Sequence, residues 1–437
     1  MEERAGKLQE DRDGAHHAPF GKVFHRVARR PLGFLAILWF ASTFVAGPLD
    51  PRSASPEWHW KVGPIFLGRP VVTWGDSPHY LALVNSLIED ADFDLANNYR
   101  QAEQGDWDLG TRLRGKPVDH HTDIDASGRE LLFHPWFMPL VIAACTWPLA
   151  HSQWVESAAI WITMAVVLLG VSAMKRWVPG KGPALWWAGL ATPLWCYSRD
   201  PWSESWLFAA WSGMLATRSL PLLGVLAVAG VLTKYSFAVV PAALGLTAAW
   251  RREWIRAGVL VGGTGFALLL GIAVSQYLFA ETDHFSLFHM GAHRFKTVTF
   301  SVAPFGLNWR ALPGLLFDWR DGLLPFFPVL AWGLWSFRRG GDLYLPAVAF
   351  LLLHAGYLGW RAGSGFGARY LVPMVGVLVA GTAQSKGRPR LLFWTALAWS
   401  ACFGILGGCL PAAVYDRTPG EILRFVGEEI RLWWLGA

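Results

Sequence analysis

From about residue 131 to residue 413 the sequence is a succession of apolar runs separated by short polar breaks. This pattern confines the chain to a bilayer. With an earlier run at 31–49, the apolar stretches fall near 131–150, 154–174, 184–198, 202–217, 219–233, 235–250, 256–280, 322–337, 343–360, 370–383 and 391–413. Continuous runs exclude a spanning barrel, whose strands are short and alternate polar with apolar residues. Lipid offers no partner to a backbone N–H or C=O, so runs of this kind must become helices. Hydrophobic residues make up 53% of the chain and charged ones 16%. The 27 Trp and 27 Phe are of the kind that collects where helices meet headgroups. The expectation is an all-α polytopic membrane protein.

Loop charge orients the helices. Residues 1–30 form a polar tail ending in Lys22, His25, Arg26, Arg29 and Arg30, which marks 31–49 as an uncleaved first helix entered from the cytoplasm. Four further basic breaks belong on that same side: Lys175-Arg176 with Lys181, Arg251-Arg252 with Arg256, Arg338-Arg339, and Lys386 with Arg388 and Arg390. They agree with the first helix only if 131–174 crosses an odd number of times. Pro135, Pro139 and Pro148 make 131–150 re-entrant or interfacial. The result is about eleven crossings, with about twelve as the other arrangement, and an N-terminus inside. The stretches 50–130, 199–205, 281–321 and 361–369 then share the extracytoplasmic face, and 414–437 is an interfacial tail. The formal charge of +6 lies largely in orienting loops and calls for no nucleic-acid partner. Cys145, Cys196, Cys402 and Cys409 lie in or beside apolar runs without metal-type spacing and read as packing residues.

The polar residues on that face carry any chemistry. Asp76 stands in Trp74-Gly75-Asp76-Ser77-Pro78-His79-Tyr80-Leu81, where Gly75 and Pro78 make a turn before a short amphipathic helix. A structural reading makes Asp76 the N-cap of that helix. A functional reading makes it a carboxylate held at the membrane surface beside His79 and Tyr80. Asp90, Asp92 and Asp94 read as ending that helix and solvating the loop, with contact to substrate or a cation as the lesser alternative. His134 stands where the loop returns to the membrane. Arg199 and Glu204 interrupt apolar runs, either as a structural pair (Arg199 with Asp200 or Glu204) or as the lining of a wet cavity. Asp318 precedes another span. Arg361, Arg369 and Tyr370 frame a glycine-rich loop whose two guanidinium groups suit bidentate phosphate recognition. His284, His289 and His293, and Asp119-His120-His121 with Asp123 and Asp125, are weaker metal-type groupings beside ordinary loop readings.

Taken together these pieces resemble the bacterial membrane glycosyltransferases of the GT-C superfamily, which includes protein O-mannosyltransferases and lipid A aminoarabinose transferases. The matching residues are Gly75-Asp76-x-Pro78-His79-Tyr80-Leu81, Asp94-Leu95-x-Asn97, His134-Pro135, Pro201-x-x-Glu204, Gly314-Leu315-Leu316-Phe317-Asp318 with Gly322-Leu323-Leu324, and Gly365-x-Gly367-x-Arg369-Tyr370-Leu371-x-Pro373. The resemblance implies a GT-C-like transmembrane domain over 31–413 with a large first extracytoplasmic loop, in a bacterial inner membrane. It implies inverting transfer of a sugar from a polyprenyl-phosphate donor to a glycan, lipid or protein acceptor, with Asp76 as the acidic residue serving the reaction. Relatives often carry a second acidic residue where this chain has Ser77. The resemblance fixes no cofactor, and a divalent cation stays open. A lipid-linked-sugar flippase or exporter, or a non-catalytic membrane scaffold, is the alternative reading.

Overall fold

A computed structural model describes residues 31–49, 60–72, 75–104, 121–124, 127–132, 134–178, 181–278, 308, 310–336, 341–357, 360–361, 365–385 and 389–435. The N-terminal tail, most of the 281–321 loop with its three histidines, Asp119-His120, and the breaks Arg338-Arg339 and Lys386–Arg388 lie outside the described residues.

The chain is a polytopic helical bundle. Among the described residues, three helices are long and apolar enough to cross a membrane: Trp154–Met174, Trp254–Leu278 and Arg390–Cys409. Shorter apolar helices accompany them, at Pro31–Ser42, Leu220–Thr233, Tyr235–Trp250 and Tyr344–Ala355. Several crossings are broken where the sequence breaks them. Lys181–Leu190 and Leu194–Tyr197 are separated before Pro193, and a 3₁₀ turn at Arg369–Met374 around Pro373 precedes Val375–Gln384. Proline removes one helical donor and clashes with the preceding turn, so the path bends there.

Helix direction defines two ends. At one end Trp154–Met174, Ser203–Ala216, Val239–Trp250 and Val375–Gln384 finish, and Leu220–Thr233, Trp254–Leu278 and Tyr344–Ala355 start. Lys175, Arg176, Arg218, Arg251, Arg252 and Arg256 cluster at that end. At the opposite end lie Glu204, Lys234, His354 and Arg369. Helix Phe137–Thr146, with its 3₁₀ extension Trp147–Leu149, leads from His134 toward the start of Trp154–Met174 and packs beside Ser77–Asn85. Both of its ends belong to the Glu204 end, so within 131–174 the run from one end of the bundle to the other is made by Trp154–Met174.

The first loop is not helical throughout. Strands β1 (Val45–Ala46), β2 (Trp60–Val62) and β3 (Ile65–Leu67) form an antiparallel sheet in the order β1-β3-β2, with Val45 opposite Leu67 and Lys61 opposite Phe66. Strands β4 (Thr122–Ile124) and β5 (Glu130–Leu132) make a hairpin, and Asp94 bridges to Leu131. The carboxylates of this loop do local work. Asp94 accepts from the Ala96 and Glu130 amides, Asp92 from the Ser86 hydroxyl, and Asp90 from the Asn97 side chain. The C-terminal segment forms an amphipathic helix, Pro419–Leu435, that buries Ile422 and Glu429 and leaves Ile430, Trp433 and Trp434 exposed. The Glu429 carboxylate accepts from the Leu49 amide, 2.6 Å, tying this helix to the segment that follows Pro31–Ser42.

Candidate functional site

Asp76 is positioned from upstream. The segment Arg69–Val72 is stapled to the first turn of Trp154–Met174. Arg69 pairs with Glu156 at 3.3 Å and donates to the Gln153 carbonyl, the Val72 amide donates to Glu156 at 2.5 Å, and Ser157 donates to the Pro70 carbonyl at 2.8 Å. Such a buried pair, with its remaining lone pairs satisfied, costs about 3–5 kcal/mol to break from one side. Gly75 follows at φ +62°, and a Cβ there would run into the Trp202 ring. Only glycine fits this turn.

Asp76 then occupies the N-cap position of helix Ser77–Asn85 without capping it. Its backbone is αR, and its side chain makes no cap hydrogen bond. The carboxylate turns instead to Arg369, with Oδ2 3.0 Å from Nη2. Arg369 Nε lies 3.3 Å from Glu204 Oε1, and Lys234 Nζ lies 2.7 Å from the same oxygen. Ser203 donates to the other Glu204 oxygen at 3.0 Å. The Arg369 guanidinium sits over the Trp202 ring at 4.7 Å and near the Tyr370 ring at 5.4 Å, while Lys234 lies 4.6 Å from the Tyr370 ring. Two carboxylates and two cations thus alternate where four elements converge. An arginine holds such a place better than a lysine, because its planar fork serves two acceptors and stacks at once.

Three imidazoles cover the other side of Asp76. His121 Nδ1 and His134 Nε2 lie 3.8 and 4.0 Å from Oδ1 and 3.1 Å from each other. His79 stacks on His121 with centroids 3.7 Å apart and bonds the Tyr99 hydroxyl at 2.6 Å. The Tyr80 ring lies 5.2 Å from His134. Burial alone would raise the Asp76 carboxyl, but the Arg369 charge, then the histidines, outweighs it and holds the group well below the usual carboxylate range. Burial lowers His134 to about 3 against the opposing pull of Asp76, so it is neutral at pH 7.

Asp76, His121 and His134 offer one ligand atom each, all within 4.8 Å of one another. Two imidazoles and a carboxylate at this spacing suit a zinc-like divalent ion. If they hold one, zinc retained by the purified protein after desalting should fall to background in His121→Ala and His134→Ala, measured by elemental analysis. Equal retention in all three proteins would remove the metal from consideration.

Asp76, His79, Tyr80, His134, Glu204, Arg369 and Tyr370 therefore come together, and three expected members lie elsewhere. Arg199 is buried and donates to the Ser42 hydroxyl at 3.2 Å and the Gly408 carbonyl at 2.5 Å, bracing two helix ends. Glu204 takes Lys234 and Arg369 as its cations instead. Arg361 is 68% exposed, with Asp318 at 3.7 Å and Asp321 at 3.9 Å. Asp318 accepts from the Arg320 and Asp321 amides, closing its own turn. The pairing of Arg361 and Arg369 on one ligand thus gives way to two separate charge clusters. Lys234 and Trp202 are the members that sequence reasoning missed, and His121 is a buried participant rather than a solvated loop residue.

In the outer cluster, burial first and Asp318 second push Asp321 up to about 6, against the pull of Arg361 and Arg320. A raised carboxyl favours the folded state below its unfolded pKa near 3.8, and that advantage is lost as pH rises through about 6. Asp321→Asn should therefore raise the thermal midpoint at pH 7.5 and leave it unchanged at pH 4. A midpoint shift that is the same at both pH values would refute this.

No family model matches the sequence, nor does any curated protein. Among solved structures, the chain is similar to ArnT from Cupriavidus metallidurans bound to undecaprenyl phosphate, at 15% identity and a TM-score of 0.52 over 87% of this chain. Apo ArnT from the same organism matches at 15% identity with a TM-score of 0.42, over 84% of this chain and 60% of its own. The chain spans 62% of the length of the lipid-bound structure. The likeness shows the fold: the polytopic helical membrane architecture of the lipid-bound structure.

Proposed function

We propose that the chain is a glycosyltransferase of the GT-C type, transferring a sugar from a polyprenyl-phosphate donor to an acceptor hydroxyl at the extracytoplasmic face, with Asp76 as the base. One observation carries the reading. A carboxylate at an N-cap position forgoes the cap and joins a network of Arg369, Glu204, Lys234 and three histidines. Capping would need none of these partners. The ArnT structure of this fold was solved with undecaprenyl phosphate, which fits a lipid phosphate as the group that meets such cations.

The reaction is a single displacement. The acceptor oxygen forms a bond to the anomeric carbon as its proton passes to the Asp76 carboxylate. The bond from that carbon to the phosphate oxygen breaks, and the polyprenyl phosphate leaves with the electron pair. One base and one leaving group on opposite faces give inversion.

Arg369 links binding to chemistry. Paired with Arg369, Asp76 is too weak a base to accept a proton readily. A donor phosphate drawing the guanidinium toward itself loosens that pair, and the Asp76 pKa rises toward a useful range. Lys234 stays with Glu204 and adds to the positive field, which stabilises the leaving phosphate. If a metal ion is bound, Asp76, His121 and His134 hold it, and it would supply Lewis-acid stabilisation of charge. The test is transfer from a synthetic polyprenyl-phosphate sugar in detergent, with the anomeric configuration of the product read by NMR. A product of retained configuration would reject the displacement, and movement of the lipid across liposomes without transfer would favour a flippase.

A further inference from the structure

The bundle's basic end contains a cavity of about 500 Å³, lined by Arg251, Glu253, Arg256, Thr247, Leu223 and Trp177 among others. It belongs to a different part of the molecule from Asp76. Helix Ser203–Ala216 carries Glu204 in the first cluster and Leu215 on the cavity wall, roughly 17 Å apart at 1.5 Å per residue.

We propose that this cavity binds the headgroup of an anionic phospholipid from the leaflet on the basic side. Three features support this occupant. First, the lining is amphiphilic: Arg251, Glu253 and Arg256 occupy the helix connection and the first turn after it, Leu215 and Leu223 stand in the terminal turns of their helices, and Leu244 and Leu260 lie a turn or more further in. Two guanidinium groups against one carboxylate leave a net positive charge, and Arg256 Nε lies 3.9 Å from Glu253, a loose pairing that a phosphate would outcompete. Second, the depth is right. Trp250 and Trp254 flank the connection with 91% and 67% of their surface exposed, as tryptophans at the headgroup layer do. Third, the volume suits a phosphoglycerol headgroup with the first carbons of its chains. Basic recesses between helices on this side are the kind of site that holds anionic headgroups.

The experiment is native mass spectrometry of the detergent-purified protein titrated with phosphatidylglycerol, phosphatidylcholine or inorganic phosphate. The expected result is one phosphatidylglycerol bound at least about tenfold more tightly than phosphatidylcholine, the preference falling about tenfold in Arg251→Gln/Arg256→Gln. Thr247→Trp keeps both arginines and fills the cavity, so it should lose the bound lipid as well. A thermal melt identifies any variant that fails to fold, and the other variant then decides. Retention of the lipid by Thr247→Trp would mean diffuse surface attraction and would overturn the proposal. So would displacement of the lipid by millimolar inorganic phosphate, which would mark a site for the soluble anion.

Discussion

Asp76→Asn should abolish sugar transfer while the protein still inserts, folds and binds its donor. As a general base, Asp76 contributes roughly 10²–10⁴-fold in rate, and asparagine supplies none of it. The change keeps the shape of the side chain and costs no cap, because the aspartate makes no cap hydrogen bond to lose. It does remove one partner of Arg369. That guanidinium keeps Glu204 at 3.3 Å, so the loss should stay below the ~3–5 kcal/mol expected when a buried charge is left with no counter-ion. The two readings of Asp76 therefore separate in one set of measurements. A structural residue would give a lower melting midpoint with unchanged turnover. A base gives turnover at background with donor binding intact and a nearly native melt. Full activity in the Asn variant would defeat the assignment and move attention to Glu204, the other carboxylate of the network.

The sequence made some of this visible and hid the rest for identifiable reasons. Apolar runs and loop arginines carried the bundle and its two ends, because burial in lipid and orientation by charge are strong, local and additive along the chain. The proline content of 131–150 marked this piece as unlike an ordinary span, but its packing beside Ser77–Asn85 was not legible in it. Asp76 and Arg369 were legible because each sits among residues that its local structure does not need. Lys234 was not. A single lysine between the apolar runs 219–233 and 235–250 looks like an ordinary turn cation, and only its position at the end away from the basic loops set it apart. His121 was half legible: its acidic, histidine-rich loop read either as a cation-binding group or as a solvated loop, and composition does not say which ring folds inward. Arg361 misled for the opposite reason. It lies eight residues before Arg369 in a glycine-rich loop, and nearness along a chain says little about direction once glycines turn it. Arg199 and Glu204 likewise suggested each other as partners by proximity, and both found better partners on distant helices.

Arg369→Lys should cost donor affinity at least about tenfold although the charge is retained. The guanidinium meets two carboxylates at once, Asp76 through Nη2 and Glu204 through Nε, while its face lies over the Trp202 ring. A lysine ammonium is a single centre without a planar face. It can approach one carboxylate closely, but it cannot hold both of them and a phosphate in fixed directions. Glu204 would remain neutralised by Lys234, so the deficit falls on Asp76 and on the donor phosphate. Two consequences follow. Donor binding weakens, and the pH dependence of the remaining activity shifts, because the group that holds the Asp76 carboxyl low has moved. The matched control is Arg361→Lys. That side chain is 68% exposed and faces Asp318 and Asp321, so the substitution should leave donor binding unchanged. Donor affinity measured on both variants and the parent decides between the two arginines. Equal losses at the two positions would restore a shared clamp and break the separation of clusters, and no loss at either would remove phosphate recognition from Arg369.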